Sequence, residues 1–131
     1  MTTVGSVLLD TTVVVAHFRS DPGLTARLRA TPATYVPWIV LGELQYGALL
    51  AQRRQAQLAL VREFLQTAIL LLPDQMTCEL YGQVKAELAG VGGMIPDNDI
   101  WIAAMARQFD LPLVTRDQHF AVLLHPTTLR W

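Results

Sequence analysis

Short, uniformly apolar stretches alternating with helical ones predict an α/β fold. The expected architecture is a single domain with a central parallel sheet of four or five short strands and helices on both faces. Two observations carry this. The stretches Ser6–Asp10, Thr34–Trp38, Ala68–Leu72 and Leu111–Thr115 lack the polar alternation of a half-exposed strand. The segments between them are long enough for the helical crossovers that parallel neighbours need. At 131 residues the chain suits one domain, residues 1–131, with a core that needs no disulfide or metal staple.

Ser6 to Leu9 is an apolar strand that ends in an acid, Asp10. Thr11 to Phe18 continues as a helical turn or two, broken by Asp21, Pro22 and Gly23. Leu24 to Ala30 reads as a short helix, and Thr34 to Trp38 as a second strand stopped near Pro37. Ile39 to Leu50 and Gln52 to Gln66 read as helices, the second with Leu58, Val61 and Leu65 at helical spacing. Ala68 to Leu72 is a third strand, expected to be buried. Pro73 and Asp74 open a long helix to about Ala89, closed by Gly90 and the loop Val91 to Gly93. Pro96, with Asp97 or Asn98 as cap, opens a helix over 97–109 that is apolar on nearly every side. Leu111 to Thr115 is the fourth strand. Asp117 caps a short helix to about Leu124, and Thr127 to Trp131 can form a last strand.

Composition narrows function less than pattern does. The net charge of −1 and the pI of 6.3 lack the basic excess usual for nucleic-acid binders. Nine of the ten positive charges are arginines, the residue suited to forked phosphate contacts, though solvated surface explains most of them. A hydrophobic content of 52% is high for a small monomer and leaves apolar surface for a partner. Cys78 is the only cysteine, so no internal disulfide is possible; it reads as a small core residue of a protein in a reducing, cytoplasmic setting. The apolar N-terminus lacks a basic leader region, and no run is long enough for a membrane span.

In a parallel α/β sheet, strand C-termini and helix N-termini share one edge, where ligands bind. Asp10 ends the first strand, and Asp117 lies two residues past Thr115. Glu43 falls in the first turns after Trp38, and Asp97 and Asp99 open the helix before strand four. All these acids should converge. Glu43 is the only charge between Arg29 and Arg53, and Asp10 the only one before Arg19. Withdrawing lone carboxylates from water costs several kcal/mol, and like charges nearby resist joint ionisation. A divalent cation resolves that conflict, and oxygen donors without Cys or clustered His favour Mg²⁺ or Mn²⁺ over zinc. His17, His119 and His125 are too scattered to suggest a zinc site and read as structural or solvent-facing.

Such a site suits attack on a phosphoryl centre, with one carboxylate left to orient or deprotonate the water. No Gly-x-Ser-x-Gly nucleophile elbow and no phosphate-binding Gly-x-x-x-x-Gly-Lys motif occurs. Gly42 and Gly47 flank Glu43 in a helix, where close helix approach is the expected reason for them. Arg116, beside Asp117, is a candidate for pairing with it or for phosphate contact. Trp38, Trp101 and Phe109 read as core. Capping alone accounts for Asp97 and Asp117 as well as function does, but it does not account for Asp10 and Glu43.

Four blocks carry a resemblance that spans essentially the whole chain. They are Leu8, Leu9, Asp10 and Thr11; Gly42, Glu43, Leu44, Tyr46 and Gly47; Pro96 through Ala104; and Leu113 through Asp117 with His119 and Phe120. In order and spacing they resemble the PIN-domain ribonucleases, nearest to the VapC-type toxins of bacterial toxin–antitoxin pairs. The resemblance implies a Mg²⁺- or Mn²⁺-dependent endoribonuclease. It also implies a homodimer held inactive by a small antitoxin (VapB-like) whose C-terminal segment occupies the groove near the site. Carried over by residue, the catalytic acids are Asp10, Glu43, Asp99 and Asp117. Asp10, Asp99, Asp117 and Asp97 are assigned to metal, with Thr11 and Thr115 in support and Arg116 toward RNA.

Two other classes compete. A phospho-acceptor receiver module would use Asp74 as acceptor and Thr115 as switch, but lacks a second acid beside Asp10 and a lysine after the last strand. A pure interaction protein would carry the same acids as vestiges.

Overall fold

The computed structural model describes residues 5–131. Its sheet is entirely parallel, with strand order β3-β2-β1-β4-β5. The strands are β1 (Ser6–Leu9), β2 (Ala33–Pro37), β3 (Ala68–Leu71), β4 (Leu113–Val114) and β5 (Thr128–Leu129). Six α-helices join them: α1 (Thr11–Phe18), α2 (Pro22–Ala30), α3 (Trp38–Leu50), α4 (Arg54–Phe64), α5 (Gln75–Gly90) and α6 (Asp97–Gln108). A 3-10 turn, Gln118–Val122, separates the last two strands.

The central strand shows why an apolar run is needed. Successive side chains of a strand point to opposite faces, yet Val7, Leu8 and Leu9 are all fully buried, so both faces of β1 are covered. α6 is the most deeply buried helix, with Ile100 and Ile102 through Ala106 inside; α5 packs along it. The register sets the functional edge. Leu9 pairs with Val114, and the Asp10 amide donates to the Val114 carbonyl at 3.0 Å. The residues just past β1 and β4 are thereby level with each other.

Several expectations need correction. β3 is not buried. It is one of the sheet's two edge strands, and Ile69, Leu70 and the following Leu72 are all exposed. Cys78 is exposed as well: the buried stripe of α5 runs through Thr77, Val84 and Leu88, and one residue along a helix turns about 100° away from it. Phe109, expected in the core, is exposed, while Trp38 and Trp101 are half-buried and meet edge to face at 5.7 Å.

Two helix starts follow their sequence signals, but α6 does not: its N-cap is Pro96, without a side-chain cap, and Asp97 and Asn98 lie inside the first turn. Asp74 and Thr77 form a reciprocal capping box at the start of α5. Asp21 caps α2 with Pro22 at its first position. α5 runs through Gly90, and Gly92 takes the left-handed conformation (φ 64°) that turns the chain away. Gly42 and Gly47 are exposed with nothing within 4 Å of an added Cβ, so close helix approach is not their reason.

Candidate metal centre

Asp10 ends β1 and caps α1, and it is 3% exposed. Its carboxylate is held by three donors. The Thr11 amide donates to Oδ1 at 2.8 Å, and the hydroxyls of Thr12 and Thr115 donate to Oδ2 at 2.9 and 2.7 Å. Charge-assisted hydrogen bonds of this kind lock the rotamer. Thr115 works in both directions, because its hydroxyl also accepts the Asp117 amide at 2.9 Å. One side chain thus ties the acid after β1 to the backbone of the acid after β4. Thr11 makes the matching link to α3 by donating its hydroxyl to Glu43 at 2.8 Å.

Asp99 stands in the first turn of α6, facing the positive end of the helix. Its carboxyl is raised from its ordinary value, chiefly by burial. The charges of Asp10 and Asp117 push it further, and a hydrogen bond from His119 opposes them. These couplings place Asp10, Asp99 and Asp117 in one field.

The basic residue at this rim is the histidine that the sequence reading set aside. His119 Nδ1 lies 2.8 Å from Asp99 Oδ2 and 3.1 Å from Asp117 Oδ2. The Asp117 side chain in turn caps the 3-10 turn by accepting the His119 amide. His119 is held above its ordinary value first by the Asp99 hydrogen bond and then by the surrounding negative charge. Asp99, Asp117 and His119 each offer a donor atom, and these atoms lie within 4.8 Å of one another. The available signal was His119's place two residues after Asp117; its meeting with Asp99 is a tertiary event.

Asp97 takes a different place. Two residues on a helix are about 200° apart, so Asp97 and Asp99 cannot face the same point. The Asp97 carboxylate accepts from the Tyr81 hydroxyl at 2.6 Å and pairs with Lys85 at 3.4 Å, and these partners lower its pKa, Tyr81 foremost. Arg116 does not pair with Asp117. Its guanidinium bonds Asp21 at 2.8 Å and the Trp131 carbonyl at 2.8 Å, bracing the loop after β4 against the start of α2 and the last residue.

Among the described residues, the arginine and lysine salt bridges go to Asp97, Glu87 and Asp21. None reaches Asp10, Glu43, Asp99 or Asp117. Carboxylates so placed, in company only with hydroxyls, amides and one imidazole, fit a hard divalent cation. Asp74, the acceptor that a receiver module would need, is tied up with Thr77 and Gln108 at the start of α5.

A doubly covered parallel sheet with an acid-lined rim at its strand C-termini defines the class. The PIN domain family matches residues 7–123, and the chain belongs to that family. Within it, the chain resembles the VapC proteins. It is 32% identical to Ribonuclease VapC5 of Mycobacterium tuberculosis over 124 residues, covering 93% of this chain and 90% of that protein. It is 30% identical to Ribonuclease VapC2 of Haemophilus influenzae over 127 residues, covering 95% of this chain and 96% of that protein. A DNA-bound VapBC structure from Salmonella typhimurium superposes with a TM-score of 0.90 at 26% identity, covering 98% of this chain and 99% of that one.

Proposed function

We propose that the chain is a Mg²⁺- or Mn²⁺-dependent endoribonuclease, the toxin of a toxin–antitoxin pair, hydrolysing RNA phosphodiester bonds in the cytoplasm. The observation that carries this is the crowded rim: Asp10, Asp99 and Asp117 share one field and Glu43 is bonded to Thr11 beside Asp10, with no arginine or lysine salt bridge to any of them among the described residues. Asp10, Asp99 and Asp117 would hold the ion. When bound, the ion neutralises phosphate charge and acidifies a water.

The remaining residues position these groups. Thr115 fixes Asp10 and the Asp117 backbone in one arrangement, and Thr11 aims Glu43, which stays half-buried and is suited to orient the attacking water. Arg116, braced by Asp21, stands next to Asp117 where RNA would approach. Asp97 points toward Tyr81 and Lys85 and is left out of the ligand set.

The named relatives support the antitoxin reading, since solved homologues are VapBC complexes. Apolar surface supports a homodimer: Tyr46, Leu49 and Leu50 on α3, with Ile69, Leu70 and Leu72 at the sheet edge, are exposed. Among the described residues no helix is long and apolar enough to cross a membrane.

The test is cleavage of a structured RNA by purified protein with Mg²⁺, with Mn²⁺ and with EDTA. Cleavage is expected with either ion and not with EDTA, and Asp10→Asn should abolish it while the circular dichroism spectrum stays unchanged. Cleavage that persists in EDTA would sink the proposal.

A further inference from the structure

We propose that His119 is itself a ligand, giving this carboxylate site one nitrogen donor and a preference for Mn²⁺ over Mg²⁺. The inference rests on the metal reading above and extends it to a residue outside the four acids.

The distances carry it. Octahedral sites with metal–donor bonds of about 2.1 Å have neighbouring donors about 3.0 Å apart. His119 Nδ1 is 2.8 Å from Asp99 Oδ2 and 3.1 Å from Asp117 Oδ2, on either side of that edge length. The imidazole nitrogen therefore forms two edges of a coordination shell, one to each acid, and the Asp99 and Asp117 donor atoms lie within 4.8 Å of each other. The backbone holds these donors in place. Asp117 caps the turn that carries His119, and its own amide is pinned to Thr115. Phe120, next in the turn, is 1% exposed and anchors the turn in the core.

Without metal, an ionised Asp99 can only accept, so Nδ1–H donates to it. Ligation through Nδ1 leaves the ring proton on Nε2, a neutral imidazole of the kind metals take. Mg²⁺ is a hard ion held by oxygen and dehydrates reluctantly, whereas Mn²⁺, a transition ion, accepts an imidazole nitrogen more readily, so a nitrogen donor widens the gap between the two.

The experiment loads wild-type protein and His119→Gln with Mn²⁺ and reads ¹⁴N couplings by electron spin-echo modulation. Parallel titrations measure Mn²⁺ and Mg²⁺ affinity by calorimetry. The His119 side chain is half-exposed, so the variant should fold, and circular dichroism verifies it. Wild type should show modulation from a directly bound nitrogen, absent in His119→Gln. Mn²⁺ binding should weaken about tenfold in the variant and Mg²⁺ binding less than about twofold, within the range seen when a metal site loses a supporting group.

Mn²⁺ binding without nitrogen modulation overturns the assignment and leaves the metal reading intact. Equal weakening for both ions does the same, since it marks His119 as a hydrogen-bonding partner of Asp99 only. Failure of wild type to bind Mn²⁺ overturns both.

Discussion

Thr115→Val is the most informative single change, because it replaces a hydroxyl by a methyl group of similar size at a buried position. The wild-type hydroxyl donates to Asp10 and accepts from the Asp117 amide. A hydrogen bond to a charged group contributes roughly 1.5–3 kcal/mol, and a buried amide left without a partner costs roughly 1–3 kcal/mol. The two losses share one oxygen and do not add fully; the added methyl gives back a little by apolar burial. The expected net loss is about 3 kcal/mol. For a domain of this size that lowers Tm by roughly 10 °C. Urea titration should show a lower midpoint with an unchanged slope. Thr115→Ser keeps the hydroxyl and loses one methyl, so it should cost no more than about 1.5 kcal/mol. A Thr115→Val protein within about 1 kcal/mol of wild type, or one no less stable than Thr115→Ser, would refute the claim that this hydroxyl holds the rim together.

Asp99→Asn removes one of the crowded charges, so the metal-free variant should be at least as stable as wild type. Its stabilisation by added Mn²⁺, read as a rise in melting temperature, should largely vanish. Acidification gives a sign-dependent test in metal-free protein. His119 is raised, so its contribution is fully present below its unfolded value of about 6.5 and is lost as pH rises through the folded value. His17 is lowered, mainly by burial, and acts oppositely: its contribution is lost as pH falls below about 6.5. His119→Gln should therefore lose stability more steeply than wild type in urea titrations stepped from pH 7.5 to 5.5. Arg116→Ala breaks the ties to Asp21 and the Trp131 carbonyl and should cost about 1 kcal/mol, measured in the same way.

Much of the fold and most of the rim were legible because both follow from short-range pattern. An apolar run ending in an acid, a helix start carrying acids, and the rule that strand C-termini share an edge anticipate the grouping of Asp10, Asp99 and Asp117, with Glu43 joined through Thr11. Helical phase decides two of the differences. Cys78 lies one residue off the buried stripe of α5, and Asp97 two residues from Asp99, so neither could face where it was expected. Other features are not local. Ala68 to Leu71 reads like a central strand, and only the strand order makes it an edge. His119 meets Asp99 across 20 residues of sequence because the 3-10 turn folds back beside α6. Arg116 finds Asp21 across 95 residues, a contact that no spacing rule anticipates.

The bond between Thr115 and Asp10 spans 105 positions of the chain. During synthesis, therefore, a growing polypeptide presents Asp10 long before the threonine that secures it has been polymerised. No partial product ending before β4 can assemble the rim, however well its early helices form. The acid that opens the chain's first crossover is fully fixed only by a residue made near its end.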